Sequence, residues 1–200
     1  MEKLSRLFTI KEQIRNINRG TKGFVLLRRS KKHKIMNKRL KEEIMLSVTY
    51  VNGCEMCSFV HTKVALNSGM DAKEITGILS GDHAEILETN AVAALFGERY
   101  ADAKDNPDID SINRLIDEYG ERKAELIIAA CQMITMTNGM GISLDNLWKR
   151  VKFKRNKSSR LTSEVFNPLF TMVLFVPLVL FHFVISLFKP LNILKRAMSV

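Results

Sequence analysis

Residues 42–69 read EEIMLSVTYVNGCEMCSFVHTKVALNSG, and this stretch decides both the fold and the chemistry that the sequence predicts. It holds two helix-forming segments separated by Asn52-Gly53, a pair that ends helices and opens turns. Cys54, Cys57 and His61 follow at spacings i, i+3 and i+7, so they share one face of the second helix. The stretch therefore predicts a helical hairpin with two thiols and one imidazole along a single face.

The position of the two cysteines favours reactive thiols. They fall in the first turn of the second helix, where unpaired backbone N–H groups and the positive end of the dipole favour thiolate. His61, one turn after Cys57, is placed to accept its proton or to stabilise the thiolate. Glu42, on the preceding antiparallel helix, is placed to orient His61. A thiolate, a second thiol three residues away and a base are the minimal parts for peroxide attack followed by disulfide closure.

Two other interpretations of these residues stay open. Cys54, Cys57 and His61 could be three ligands of a zinc site with Glu42 or Cys131 as the fourth, although structural zinc usually takes two paired knuckles. The cysteines could also be inert core thiols. Cys131 lies in an apolar segment and is predicted to be a packing residue. We predict no bound metal and no bound cofactor.

Around the hairpin, residues 38–150 predict an all-α body without alternating strand patterns. Capping, glycine and proline signals place the expected helices at about 38–51, 54–69, 71–81, 83–103, 109–119 and 125–136. The last of these is apolar nearly all round and should be the most buried. Residues 1–37 are basic and interrupted at Gly20 and Gly23, which predicts an extension with one or two amphipathic turns.

The C-terminal part of the chain predicts a membrane segment. Residues 165–188 contain no Asp, Glu, Lys or Arg. A helix of this length, about 36 Å, is sufficient to cross a hydrocarbon core of about 30 Å. We therefore expect a transmembrane or membrane-anchoring helix that is separable from the body, the alternative being a core helix of a soluble oligomer. Pro177 should kink this helix or split it into a re-entrant hairpin.

Basic residues flank both the body and the apolar segment. Residues 1–41 carry 14 Lys or Arg against 2 Asp or Glu, residues 42–148 carry 7 against 18, and residues 149–200 carry 10 against 1. The basic linker 151–164 precedes the apolar helix and a short basic tail, 189–200, follows it. More positive charge before the helix than after it predicts a cytoplasmic body.

The charge pattern also bears on the partners and on the compartment. Basic flanks beside an apolar helix favour anionic membrane lipid as a partner. No aromatic residues are interleaved with the basic clusters, so we expect no nucleic-acid binding. The first 20 residues have no apolar run long enough for a signal-peptide core, so the body is expected in a reducing compartment. A C-x-x-C pair there is redox-active or metal-binding rather than structural.

At these residues the sequence resembles the carboxymuconolactone decarboxylase superfamily, in its alkyl hydroperoxidase D-like branch. That branch is marked by E-x11-C-x2-C-x3-H, which Glu42, Cys54, Cys57 and His61 fit at every spacing. The resemblance covers about 38–148 and includes H-T-x-x-A-x-x-x-G-M after the cysteines and A-V-A-A-L-F-G at 91–97. It departs from the pattern at the position between the cysteines, where this chain has methionine and the best-understood members have a further histidine.

The resemblance implies an all-α fold, assembly into a homotrimer or homohexamer, and peroxidase or protein-disulfide reductase activity. The implied substrate is a hydroperoxide or a disulfide, and an external thiol or dithiol, or a redox partner protein, supplies the electrons. We assign Cys57 as the attacking thiolate, Cys54 as the resolving thiol, His61 as the base and Glu42 as its orienting partner. Helix-terminus chemistry alone would favour Cys54 as the thiolate. A membrane-anchored scaffold without turnover and a zinc-binding module remain alternatives.

Overall fold

Helices make up the part of the chain that the structure describes. The structure is a computed structural model that describes residues 5–82, 84, 86, 88–154, 156–188, 193 and 194. Over these residues it is all-α, which confirms the predicted fold class. The α-helices are α1 (Ile10–Ser30), α2 (Lys38–Asn52), α3 (Glu55–Leu66), α4 (Ala72–Ser80), α5 (Glu88–Asp102), α6 (Ile109–Val151) and α7 (Leu161–Phe188), with a short 3-10 helix at Lys31–His33 between α1 and α2.

Local capping explains most of the helix boundaries. Asn37 accepts a hydrogen bond from the Leu40 N–H at 2.7 Å and so begins α2, while Asp71 and Asp108 cap α4 and α6 in the same way. Gly53, in the left-handed conformation with φ of 69°, ends α2. The predicted bounds of α2 and α4 are therefore confirmed. The helix expected from residue 83 begins later, at Glu88, and His83 lies outside the described residues.

The long helix α6 forms the centre of the body. Gly120 has φ of 73° and ψ of 157°, so the helix is kinked at the residue where the sequence predicts a helix end. Beyond the kink, residues 125–136 are buried against α1, α2 and α5 except for Gln132 and Met133, which are half-buried. The predicted burial of this segment is confirmed. This burial follows from the sequence, because a helix that is apolar nearly all round is stable only when other helices surround it.

The N-terminal segment forms a longer helix than the sequence predicts. The expected interruption at Gly20 and Gly23 is wrong, because α1 continues through both residues. A Cβ atom at Gly20 would come within 2.7 Å of the Met136 Cβ, and one at Gly23 within 2.6 Å of the Ala129 carbonyl oxygen. The two glycines let α1 pack directly on the backbone of α6. The division of the chain into an extension at 1–37 and a body from residue 38 remains a prediction, but α1 lies in the core.

The C-terminal helix runs unbroken from Leu161 to Phe188, through Pro168 and Pro177. A hairpin at Pro177 is therefore wrong for the described residues. Among these residues, α6 and α7 are the two helices long and apolar enough to cross a membrane. Each of the two helices has its own most apolar segment. That of α6 is 78% buried inside the protein, whereas that of α7 is only 17% buried. The composition of α7 therefore indicates membrane association, while the cytoplasmic orientation of the body remains a prediction.

Candidate active site

The two cysteines lie at the turn between α2 and α3. After Gly53 the chain reaches Cys54, the N-cap of α3, whose Sγ accepts the backbone N–H of Cys57 at 3.3 Å. This is the hydrogen bond that an N-cap side chain makes to an unpaired N–H of the first turn. In the reduced protein this bond would stabilise a thiolate at Cys54, because the donor lies at the positive end of the helix dipole.

Cys54 and Cys57 form a disulfide, with their Cα atoms 5.3 Å apart. Both residues are buried, Cys54 at 2% exposure and Cys57 at 8%. Cys57 is therefore the more exposed residue of the two. The other polar neighbour of its sulfur is the Thr137 carbonyl oxygen on α6, 3.8 Å away, which is placed to accept the S–H of the reduced thiol.

Cys131 is the free cysteine among the described residues. It is completely buried in α6, and burial raises the pKa of its thiol. A thiol of this kind is protonated and inert at neutral pH. Its position fits the packing role that the sequence predicts for it.

Glu42 and His61 are joined across the same helical hairpin. The Glu42 Oε2 lies 2.7 Å from the His61 Nδ1, and the other carboxylate oxygen pairs with the Lys41 ammonium at 3.0 Å. Burial is the largest influence on Glu42 and acts to raise its pKa, but the His61 hydrogen bond and the Lys41 charge outweigh it and lower the pKa. Glu42 is therefore an ionised carboxylate that fixes the orientation of the imidazole ring.

The four predicted site residues thus form two pairs. The structure brings Cys54 together with Cys57 and Glu42 together with His61, and all four lie on the α2–α3 hairpin. Among the hydrogen bonds of the described residues, none joins His61 to either sulfur. The described residues also contain no group of three or more His, Cys, Asp or Glu side chains arranged to hold a metal ion.

A short N-terminal segment, residues 5–9, covers the disulfide. The Phe8 side chain packs with Ile142 against both cysteines, and the Arg6 guanidinium stacks over the Phe8 ring. The Ser5 hydroxyl donates to the Gly53 carbonyl at 2.8 Å. We call residues 5–9 the N-terminal strap, because they shield the sulfurs from solvent.

One ion pair anchors the strap to the body. Arg6 donates two hydrogen bonds to the Asp105 carboxylate, at 2.8 and 3.0 Å, and the Asp105 side chain is fully buried. The Asn16 amide on α1 also donates to this carboxylate, at 3.2 Å. A bidentate guanidinium–carboxylate pair of this kind holds its partners in a defined geometry. Asp105 therefore fastens the strap and α1 to the loop after α5.

Gly141 on α6 is a site residue that sequence reasoning missed. A Cβ atom at this position would lie 2.8 Å from the Cys54 sulfur and 3.0 Å from the Cys57 sulfur. Only glycine leaves room for the disulfide against this helix. The available signal was the sequence NGMG at 138–141, since glycine is unfavourable inside a helix and is there for another reason, in this case close packing.

Comparison with known proteins gives one match, to a family model over part of the chain. Searches of curated proteins and of solved structures found no match to the chain. The model of the carboxymuconolactone decarboxylase family matches residues 25–97, which span the end of α1, the whole α2–α3 hairpin, α4 and most of α5. This match confirms the predicted resemblance to the carboxymuconolactone decarboxylase superfamily over residues 25–97, which include both cysteines, Glu42 and His61.

Proposed function

We propose that this protein is a thiol-dependent hydroperoxide reductase or disulfide oxidoreductase that works through Cys54 and Cys57. The observation that carries the proposal is the disulfide at the N-terminus of α3, with the Glu42–His61 pair on the same helical hairpin. A C-x-x-C pair at a helix N-terminus, with an oriented histidine on the same helix, has the parts that thiol chemistry requires.

In the proposed peroxide reaction, Cys57 attacks first. His61 accepts the proton of the Cys57 thiol, and the thiolate attacks the terminal oxygen of a hydroperoxide. The O–O bond breaks, the alkoxide leaves as an alcohol with a proton, and Cys57 becomes a sulfenic acid. The Cys54 thiolate then attacks the Cys57 sulfur, hydroxide leaves as water with a proton, and the disulfide forms. Glu42 acts through His61 as a positioning residue.

An external thiol or dithiol, or a redox partner protein, closes the cycle. Its thiolate attacks the sulfur of Cys57, the more exposed residue of the pair, and Cys54 leaves as a thiolate. The N–H of Cys57 stabilises that leaving group, because it already donates to the Cys54 sulfur. A second external thiolate attacks the first external sulfur, Cys57 leaves as a thiolate, and the two external thiols depart as a new disulfide after giving two electrons to the cysteine pair. Access of a reductant requires the strap to move aside, since Phe8 covers the sulfurs.

The proposed setting is the cytoplasmic face of a membrane, as a homotrimer or homohexamer, with membrane lipid as a partner and no nucleic acid. The apolar composition of α7 and the basic flanks support the membrane part of this proposal. The match of residues 25–97 to the carboxymuconolactone decarboxylase family supports the proposed homotrimer or homohexamer, because the resemblance implies such an assembly.

A turnover assay tests the proposed activity. The full chain, a dithiol such as dithiothreitol and tert-butyl hydroperoxide should give peroxide loss that depends on protein concentration. Cys57→Ser should abolish it, whereas Cys131→Ser, which alters only the buried free thiol, should leave it unchanged. Equal peroxide loss with the wild type and with Cys57→Ser would refute the assignment.

A second candidate is a binding or scaffold protein that keeps this fold without turnover. The observation that favours it is the burial of both sulfurs under Phe8 and the anchored strap. The discriminating experiment is alkylation of the reduced protein with iodoacetamide at pH 7. Thiols that react no faster than those of the unfolded chain support the scaffold, and faster reaction supports the enzyme.

A further inference from the structure

The helix α7 buries its polar side and exposes its apolar side, which is the opposite of a helix in the core of a soluble protein. Its buried residues are mainly polar: Glu164, Asn167, Thr171, His182 and Ser186. The opposite side is apolar and exposed along the whole helix. We call it the apolar face of α7, and its central line is Val165, Leu169, Val173, Val176, Leu180 and Val184. A single face of this size left in water marks an interaction surface.

The polar side of α7 is fastened to the body at both ends. Near the N-terminus, Arg150 holds Glu164 with two hydrogen bonds, at 2.6 and 2.7 Å. Near the C-terminus, the Arg29 guanidinium bonds to Ser186. Between them, Gln13 of α1 donates to the Thr171 hydroxyl at 2.8 Å. These contacts show that α7 runs alongside α1 and in the same direction.

This arrangement opposes a crossing of the bilayer by α7 alone. If α7 crossed the membrane while packed as observed, α1 would enter the hydrocarbon with it. The middle of α1 carries Arg15 and Arg19, both of which contact Asp105. Charges at the bilayer centre are costly. Arg15 pairs with the buried Asp105 carboxylate, and Arg19 donates a hydrogen bond to the Asp105 backbone carbonyl oxygen. A crossing α7 would instead have to break every contact of its polar side.

We infer that the apolar face of α7 lies in the plane of an anionic lipid bilayer surface, with α1 and α6 above it. The geometry is that of a monotopic helix whose apolar side enters the boundary between head groups and acyl chains. The inference deepens the membrane association proposed above, and it does not depend on the thiol chemistry. It replaces a spanning anchor with a docking surface formed by the folded body.

Positive charge near both ends of α7 favours anionic lipid as the partner that covers its apolar face. A cleft at the C-terminal end, between α1 and α7, has Val179, Leu180 and Phe183 as apolar lining and a rim that includes Arg28 and Lys32. Its volume is about 720 Å³, and His33 and Arg29 complete the rim. Phosphate head groups of anionic lipids match this arrangement, since the cations lie beside apolar surface that acyl chains can cover.

A second copy of the chain is a poorer occupant of the same face. At the N-terminal end of α7 the charged residues that line the neighbouring cleft are Lys11 and Arg160. Both ends of the face are therefore basic among the described residues. Two copies paired through α7, in either direction, would bring cations against cations, which is unfavourable. An anionic surface neutralises both ends together.

Vesicle binding by the full chain tests the inference. The probes are vesicles of phosphatidylcholine alone and vesicles with 30% phosphatidylserine, with binding measured by flotation. We expect at least tenfold stronger binding to the anionic vesicles. Val176→Asp/Leu180→Asp and Arg28→Glu/Lys32→Glu should each weaken that binding at least tenfold. The control Arg114→Glu/Arg122→Glu makes the same charge change at exposed sites on the body and should leave binding within twofold of the wild type.

Labelling distinguishes lying on the membrane from crossing it. Thr162→Cys and Phe188→Cys place thiols near the two ends of α7, and an impermeant maleimide is added outside sealed vesicles. Labelling of both sites from the outside, above the level of the parent chain, supports an in-plane helix. Protection of one site until the vesicles are opened overturns it.

The oligomer size in solution tests the alternative that the apolar face of α7 is a subunit interface. If the wild type does not bind anionic vesicles and Val176→Asp/Leu180→Asp reduces its oligomer size, the face is a subunit interface and the inference is overturned. Peroxide turnover of each variant is measured in parallel. A wild type that turns over peroxide but does not bind anionic vesicles refutes only the membrane inference. A wild type that binds the vesicles but does not turn over peroxide refutes only the proposed activity.

Discussion

At the scale of single residues, the proposed chemistry rests on two sulfurs and one carboxylate–imidazole pair. Spacing alone predicts all four side chains, because Cys54, Cys57 and His61 share a helix and Glu42 lies on the helix joined to it by a tight turn. Spacing could not predict Gly141 or Phe8. Both reach the disulfide from distant parts of the chain, so their proximity depends on the tertiary packing of α6 and the strap.

Removing the imidazole should slow the reaction of the thiol. His61→Ala should lower the rate of iodoacetamide alkylation at pH 7 by about tenfold or more, because the reactive thiol then returns toward a free pKa of about 8.5. Glu42→Gln should have the same effect more weakly, since Glu42 acts through His61. His33→Ala removes an exposed histidine of the α1–α2 connection and serves as the control. Equal rates for His61→Ala and His33→Ala would exclude His61 from the mechanism.

The lowered pKa of Glu42 makes stability depend on pH. Its carboxylate contributes stability that is complete above the ordinary glutamate pKa of about 4.3 and is lost as the pH falls through the lowered value in the folded protein. Glu42→Gln should therefore cost about 1–3 kcal/mol in the free energy of unfolding at pH 7. The difference from the wild type should shrink below about pH 4. Urea unfolding at several pH values measures it, and a difference that is constant with pH would contradict the assignment.

At the scale of helices and connections, sequence signals predict the elements whose ends are capped locally. Asn37 and Gly53 bound α2, and Asp71 begins α4, so these helices need no tertiary information. The length of α1 was not predictable in this way. Gly20 and Gly23 are typical helix interruptions, and their role as contact points with α6 appears only when α6 lies against them.

The strap should control access to the disulfide. Arg6→Ala removes the bidentate pair with the buried Asp105 carboxylate, so it should destabilise the protein by about 3–5 kcal/mol and loosen residues 5–9. Reduction of the disulfide by dithiothreitol, followed by mass spectrometry, should become at least threefold faster.

The matched control for this experiment is Arg99→Ala. It removes an exposed Arg–Asp pair, Arg99 with Asp108, which a single hydrogen bond of 3.0 Å joins. An exposed pair is worth about 0–1 kcal/mol, so stability and reduction rate should stay close to those of the wild type. Reduction of Arg6→Ala at the wild-type rate would mean that the strap is no barrier.

At the scale of the whole molecule, α7 is an integral part of the body. Sequence composition favours a separable anchor, because residues 165–188 carry no charge. The structure instead packs the polar side of α7 on α1 and α6, where the Asn167 amide donates to the Phe8 carbonyl at 2.9 Å. Composition could not predict this, since Asn167, Thr171 and Ser186 each bond a partner on the strap or on α1 that lies 157 to 159 residues away in the sequence.

Removing α7 should therefore destabilise the fold. A chain that ends after Lys157 loses the Glu164 and Thr171 contacts and exposes the surfaces of α1 and α6 beneath them. In one mild detergent, its thermal unfolding midpoint should fall by at least about 5 °C, because the loss of 1 kcal/mol shifts the midpoint of a chain of this size by about 2–4 °C. Val176→Asp/Leu180→Asp changes only exposed positions and should melt near the wild type. Equal midpoints for the truncated and full chains would restore the separable anchor.

Mass spectrometry of the reduced full chain after one equivalent of peroxide tests the central claim most directly. The account predicts an intramolecular Cys54–Cys57 disulfide in the wild type and in Cys131→Ser. It predicts a sulfenic acid at Cys57, trapped by dimedone, in Cys54→Ser, because the resolving thiol is then missing. Cys57→Ser should remain unoxidised on the same time scale. Peroxide that leaves Cys54 and Cys57 reduced, or that oxidises Cys57→Ser as fast as the wild type, would contradict the account.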